Sequence, residues 1–204
     1  MSIRIKLAAS LVALSLASAS FAQSPATKPE RIRGDIVSFS GNTLTVHRRS
    51  GDTVTIALSD ASKVSAVKAI QLSDIKQGSY VGAAAMPGPD GKLTATEVLV
   101  FPDVARGTGE GHYAYDLGAN STMTNANVDT VVEGTSGRDL KLSYKGGSNT
   151  VTVPTSAPVV TLAPATRADL VAGKKVFVLA APISGGTYGA QFVVVEKNGV
   201  APPM

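Results

Sequence analysis

The chain repeats itself at a separation of about 95 residues, and this self-similarity limits its fold more than any other feature of the sequence. Gly41-Asn42-Thr43-Leu44-Thr45-Val46 aligns with Gly137-Arg138-Asp139-Leu140-Lys141-Leu142, and Gly51 with Gly147, at an offset of 96. Further on, Asp74-Ile75-Lys76-Gln77-Gly78 aligns with Asp169-Leu170-Val171-Ala172-Gly173 at an offset of 95. That offset then carries Val81 to Val176, Pro87 to Pro182, Gly91 to Gly186, Ala95 to Ala190, Val98 to Val193 and Val100 to Val195. A collinear series of this length marks a duplicated module.

Within each copy the apolar residues alternate with polar ones, the period of a half-buried strand. Leu44 and Val46 alternate with Thr43 and Thr45, and Val54, Ile56 and Leu58 with Thr53, Thr55 and Ala57. Turn residues separate the runs at Ser40-Gly41-Asn42, Ser50-Gly51-Asp52, Pro89-Asp90-Gly91, Gly146-Gly147-Ser148 and Ser184-Gly185-Gly186. Leu72–Gly78 and Thr166–Gly173 each read as a single capped helical turn ended by a glycine. In the last strand of each copy the apolar parity shifts, from Leu93 and Ala95 to Val98 and Val100, and from Tyr188 and Ala190 to Val193 and Val195. The repeated shift predicts a bulge that bends the strand around a barrel corner. Three strands, a helical turn and two strands is the order of an OB-type barrel. The expected fold is therefore all-β: two tandem small OB-like β-barrels, each with one short helical turn, over 31–102 and 127–197. A Gly-rich linker, 103–126, joins them and 198–204 forms a C-terminal tail. Units of about 70 residues are small for independent cores, so the barrels are expected to pack on one another.

Arg33-Gly34-Asp35-Ile36-Val37, then Gly41-Asn42-Thr43-Leu44-Thr45-Val46, Asp74-Ile75-Lys76-Gln77-Gly78-Ser79-Tyr80-Val81 and Leu93-Thr94-Ala95, resemble a bacterial domain-of-unknown-function family. The resemblance covers 31–101 and, through the repeat, 128–196. It implies exported OB-like β-barrels that often occur in tandem, and it supplies no catalytic residues. Relatives of this layout are sometimes labelled metal-transporter permeases, a label that the lack of a spanning stretch argues against.

Export is also written in residues 1–22. A basic start (Arg4, Lys6), an apolar core from Leu7 to Leu16 and the exit Ala17-Ser18-Ala19-Ser20-Phe21-Ala22 make a secretory signal peptide cleaved after Ala22. The apolar run is shorter than the roughly 20 residues that cross a bilayer. Cleavage leaves 182 of the 204 residues, beginning with a flexible mature N-terminus, 23–30, and places the protein in the periplasm or outside the cell. The chain has no cysteine, so neither disulfides nor thiolate clusters hold it together. Its +4 charge, from 19 basic against 15 acidic residues, falls when Arg4 and Lys6 leave, far from the cationic footprint of a nucleic-acid binder.

Candidate chemistry concentrates between the barrels. His47 ends a strand beside Arg48 and Arg49 and reads as a solvated strand end; that basic cluster offers at most a contact to an anionic surface. Gly134-Thr135-Ser136-Gly137 lacks the spacing of a nucleophile elbow, so no triad assembles and the protein is read as not an enzyme. The linker has no counterpart in the repeat and carries Glu110, His112, Tyr113, Tyr115 and Asp116, the candidate contacts to an envelope protein or small ligand. Its two tyrosines predict that it packs in the groove between the barrels. Gly107-Thr108-Gly109-Glu110-Gly111 lacks the lysine and helix of a phosphate loop. The alternative is a periplasmic metal-binding accessory protein that holds copper or zinc through His112, Asp116 and Met123. Phe39, Tyr80, Phe101, Tyr144 and Tyr188 are too sparse for a nucleic-acid stacking platform, and Phe177 and Phe192 sit among valines as core residues.

Overall fold

The computed structural model describes residues 28–88 and 92–203. The expected signal peptide and the predicted turn at Pro89-Asp90-Gly91 lie outside the described residues. The strands are β1 (Glu30–Ser40), β2 (Thr43–Arg48), β3 (Thr53–Ala69), β4 (Tyr80–Pro87), β5 (Leu93–Val100) and β6 (Gly111–Ala114), followed by β7 (Thr122–Gly134), β8 (Gly137–Tyr144), β9 (Gly147–Pro154), β10 (Val159–Pro164), β11 (Lys175–Pro182) and β12 (Tyr188–Val195). Short 3-10 turns at Leu72–Asp74 and Arg167–Asp169 occupy the two predicted helical turns, each closed by a capping box whose Asp74 or Asp169 side chain accepts the cap amide. Gly78 and Gly173 follow at φ of 83° and 82°, a left-handed backbone that glycine adopts without strain.

The molecule is all-β, with a closed five-stranded barrel. Strands β1, β2, β3, β12 and β11 form that ring: β1 pairs antiparallel with β2 and β11, β2 with β3, β11 with β12, and β12 closes it by running parallel to β3. Its interior is the inward parity of those strands, including Ile32, Leu44, Val46, Ile56, Val178 and Val193. Burial of one such side chain contributes about 1.5–3 kcal/mol. Strands β4, β5, β9, β8 and β7 trace a second ring, closed where β5 and β9 run parallel through Leu93↔Val151 and Thr94↔Thr152. Val81, Ala83, Val98, Leu140, Leu142 and Val151 fill it.

Neither ring is a continuous stretch of chain, which corrects the expected sequential units 31–102 and 127–197. The first ring takes its last two strands from the second copy, and the second ring takes β4 and β5 from the first. The helical turns travel with their hairpins: Leu170 lies in the core of the first ring and Ile75 in that of the second. A local cause lies in β3. No glycine or proline occurs between Gly51 and Gly78, so nothing turns the chain back toward its own ring. Instead β3 runs straight on, its distal part pairing antiparallel with β10 from Ser65↔Pro164 to Ala69↔Val160. That register centres on Val67↔Leu162, two residues related by the 95-residue offset, so a pseudo-twofold axis passes through this pair.

The predicted bulges fall where parity shifts. Ala84 and Ala85 face Glu97 and Ala95, leaving Thr96 extra, while Leu179 and Ala180 face Phe192 and Ala190, leaving Gln191 extra. Between the rings runs an apolar seam of Val67, Leu99, Val160, Phe177 and Val194, against which Phe101, Leu179 and Phe192 pack. Phe177 is thus buried in the seam and not inside a barrel.

Candidate functional site

The linker is not structureless. It holds a 3-10 turn at Asp103–Ala105 and strand β6, which pairs with β7, and residues 122–126 belong to β7 itself. Side chains fasten it first to the second ring. The Tyr80 hydroxyl donates to the Thr108 carbonyl (3.2 Å), Arg106 donates to Asn127 Oδ1 (2.8 Å) and the Gly78 carbonyl (3.0 Å), and the Lys145 amide donates to Glu110 Oε1 (3.0 Å). The Asn125 amide donates to the Gly109 carbonyl and to the Tyr113 hydroxyl, both at 3.0 Å.

Tyr115 and Asp116 then cross to the first ring. On β1 the core parity belongs to Ile32 and Ile36, which leaves Arg31 and Arg33 on the face toward the linker. Both Nη atoms of Arg33 donate to Asp116, each at 2.9 Å, a bidentate pair. The Tyr115 ring lies 4.7 Å from the Arg31 guanidinium carbon and 5.3 Å from that of Arg33, and Phe177 lies 5.3 Å from the latter. Gly34 makes the placement of Arg33 possible. A Cβ there would stand 1.9 Å from the His47 carbonyl oxygen, so only glycine lets β1 press onto the end of β2. The Arg49 amide then donates to the Arg33 carbonyl at 3.0 Å, and the four arginines 31, 33, 48 and 49 line one cleft with Asp116.

The junction joins charges buried to different degrees, Arg33 and Glu97 out of water and Asp116 half in it. Arg33 is only 8% exposed, and its Nε has no hydrogen-bond partner. Burial works against its charge, but the hydrogen bonds to Asp116 and the nearby Tyr115 and Asp116 outweigh this and raise its pKa. Burial also works to raise the Asp116 carboxyl, yet the Arg33 bonds and the charges of Arg33 and Arg31 hold it below the ordinary carboxylate range. On β5, Glu97 is 4% exposed with Oε1 unpartnered. Desolvation pushes its carboxyl up to about 7 against the pull of Arg33 and Arg49. Desolvation likewise pushes the Tyr115 hydroxyl up to about 12.

The expected metal set is not brought together. His112 pairs with Thr124 in the β6–β7 register and Tyr113 with Met123, so His112 and Met123 lie on opposite faces of the strand pair. His112 Nδ1 sits 2.9 Å from Thr124 Oγ1 with its ring stacked on Tyr144, Met123 is buried beside the seam, and Asp116 is held by Arg33. Among the described residues no group of three or more His, Asp or Glu side chains is placed to hold a metal ion.

Of the other candidates, Glu110 and Tyr113 fasten the linker to the second ring, and Tyr115 and Asp116 fasten it to the first. Sequence reading missed Arg31, Arg33 and Glu97. Their signals were present: Arg31-Ile32-Arg33 alternates cation with core residue, and Glu97 directly abuts the apolar Val98-Leu99-Val100 run. No family model, curated protein or solved structure matches the chain.

Proposed function

We propose that this is an exported, non-enzymatic binding or structural protein of the cell envelope, periplasmic or secreted, that engages a partner protein or small ligand through the linker and the ring edges beside it. The observation that carries this is the double fastening of the linker: hydrogen bonds to the second ring and the Arg33–Asp116 pair to the first hold its outer surface in one shape. A surface ordered before encounter loses little conformational entropy on binding. Val104, on the linker's 3-10 turn, is 98% exposed, an apolar side chain standing out from the surface of the described residues. The ring order β1-β2-β3-β12-β11, with β3 parallel to β12 and a helical turn before β11, supports the OB-like class. No helix of the described residues is long and apolar enough to cross a membrane.

The non-enzymatic part rests on both histidines. Thr124, the hydroxyl that His112 touches, is fully buried, beyond the reach of a substrate. His47 lies 3.3 Å from the Thr53 hydroxyl, and among the described residues no carboxylate hydrogen-bonds either imidazole to orient it as a base.

Two measurements test the proposal. Protein recovered from the periplasm should begin at Gln23; a full-length cytoplasmic product would overturn export. Immobilised mature protein should retain a component of an envelope fraction that the Val104→Asp and Arg49→Gln variants release. Equal retention by all three would remove the binding role of this surface.

A further inference from the structure

We propose that the cleft between the end of β2, strand β1 and the linker binds a phosphate-type oxyanion, with Arg31, Arg48 and Arg49 as its donors and the Arg33–Asp116 pair as the wall behind them. This rests on the binding-protein reading and names the ligand class for the same surface. The chain has eight arginines, and four of them line this one cleft of about 280 Å³, against Asp116 as the sole carboxylate in its wall.

The guanidinium groups there are under-paired among the described residues. Arg48 Nε and Nη2 and Arg33 Nε are buried with no hydrogen-bond partner, which leaves positive charge uncompensated in the wall of the cleft, and Arg49, which is exposed, makes no ion pair within 4.0 Å among the described residues. The carboxylates around Arg48 stand too far away for strong hydrogen bonds, Asp52 at 3.5 Å and Glu30 at 3.8 Å. Asp116 and Arg33 compensate one another through the two bonds of the fork, so the excess positive charge of the cleft comes from Arg31, Arg48 and Arg49. Glu97 faces Arg33 and Arg49 from β5, buried and with one oxygen unpartnered. The planar guanidinium matches phosphate oxygens in pairs, and several converging on one cleft favour a multiply charged oxyanion over a single carboxylate.

The duplication supplies an internal control. Strand register relates Arg31, Arg33, Arg48 and Arg49 to Met123, Asn125, Tyr144 and Lys145 in the second ring. The same backbone is built there with one cation in place of four, so ring closure does not need the arginines.

Tripolyphosphate is the soluble probe, titrated calorimetrically into the mature protein at low salt, and vesicles of phosphatidylcholine with and without phosphatidic acid are the membrane probe. One saturable site is expected, weakened about tenfold or more by Arg48→Gln or Arg49→Gln and by added salt, and unchanged by Lys145→Gln. Arg48 and Arg49 lie outside the ring interiors, and matched melting curves confirm that the variants fold. Binding to tripolyphosphate assigns a free oligophosphate, and binding confined to phosphatidic acid vesicles assigns a lipid headgroup; both support the proposal. Absence of binding to either probe, or equal losses in Lys145→Gln and Arg49→Gln, overturns it. Envelope capture that survives such a failure spares the binding-protein reading and removes only the ligand class.

Discussion

The two rings share one strand order yet differ where each meets the linker. In the first ring the linker lands on Arg33, a buried guanidinium held by Asp116 and flanked by Tyr115, with Glu97 behind it. At the related positions of the second ring it lands on Asn125, whose amide bonds the Gly109 carbonyl and Tyr113 hydroxyl, and the counterpart of Glu97 is Phe192. Even Gly34, essential for close approach in the first ring, is matched by the fully buried Ala126. A neutral amide and an aromatic ring complete the seam without desolvating any charge. The first ring therefore carries a buried ionic cluster that its own duplicate shows to be dispensable for folding, and buried charge is costly to retain. Selection for something other than stability is the simplest reason to keep it.

The largest effect comes from severing the exchange that makes both rings composite. Residues 28–102 alone, or 103–203 alone, can close neither ring, so each fragment should lack cooperative unfolding by circular dichroism, and mixing them should restore it. A fragment that folds by itself would show that the rings can close within one copy. Next, Arg33→Ala strands Asp116 and Glu97 and should lower stability by about 3 kcal/mol in denaturant titration. The related Asn125→Ala removes only neutral hydrogen bonds and should cost about 1–2 kcal/mol. Equal losses would erase the contrast between the rings.

Glu97 sharpens the same contrast through pH. Its carboxyl keeps its proton in the folded state up to about 7, whereas the unfolded chain releases it near the ordinary value of 4.5. The folded state thus binds the extra proton, and stability falls as pH rises from about 4.5 to about 7, by about 3 kcal/mol in all, then levels off. Glu97→Gln should flatten that window, and a slope that persists in the variant would assign it to other groups. The smallest effect is expected from His112→Ala, under about 1 kcal/mol, since the side chain is exposed on one hydrogen bond. Copper or zinc should leave the melting temperature of the native protein unmoved; a rise abolished by His112→Ala would restore the metal site that the opposite faces of β6 and β7 exclude.

Much of the local structure was legible in residue order alone. The alternation in 43–58, the glycines after Asp74 and Asp169 and the parity shifts around Thr96 and Gln191 each specify a strand, a turn or a bulge, because they depend on neighbours a few residues away. The site was half legible. Tyr113, Tyr115 and Asp116 stood out as polar and aromatic residues in a segment with no repeat partner, while Arg31 and Arg33 read as ordinary outward positions of a strand. Only the seam, with Phe177 above and the linker below, turns Arg33 into a buried charge.

Residue order by itself determined that the chain forms two sets of five strands with their caps and bulges, for those are consequences of periodicity and local chemistry. Which set of strands closes which ring was decided in three dimensions. The hairpins 80–100 and 175–195 carry the same apolar pattern, so either satisfies either ring interior. The choice falls to contacts between distant segments: the straight run of β3, its pairing with β10 around Val67 and Leu162, and the seam that the crossing buries.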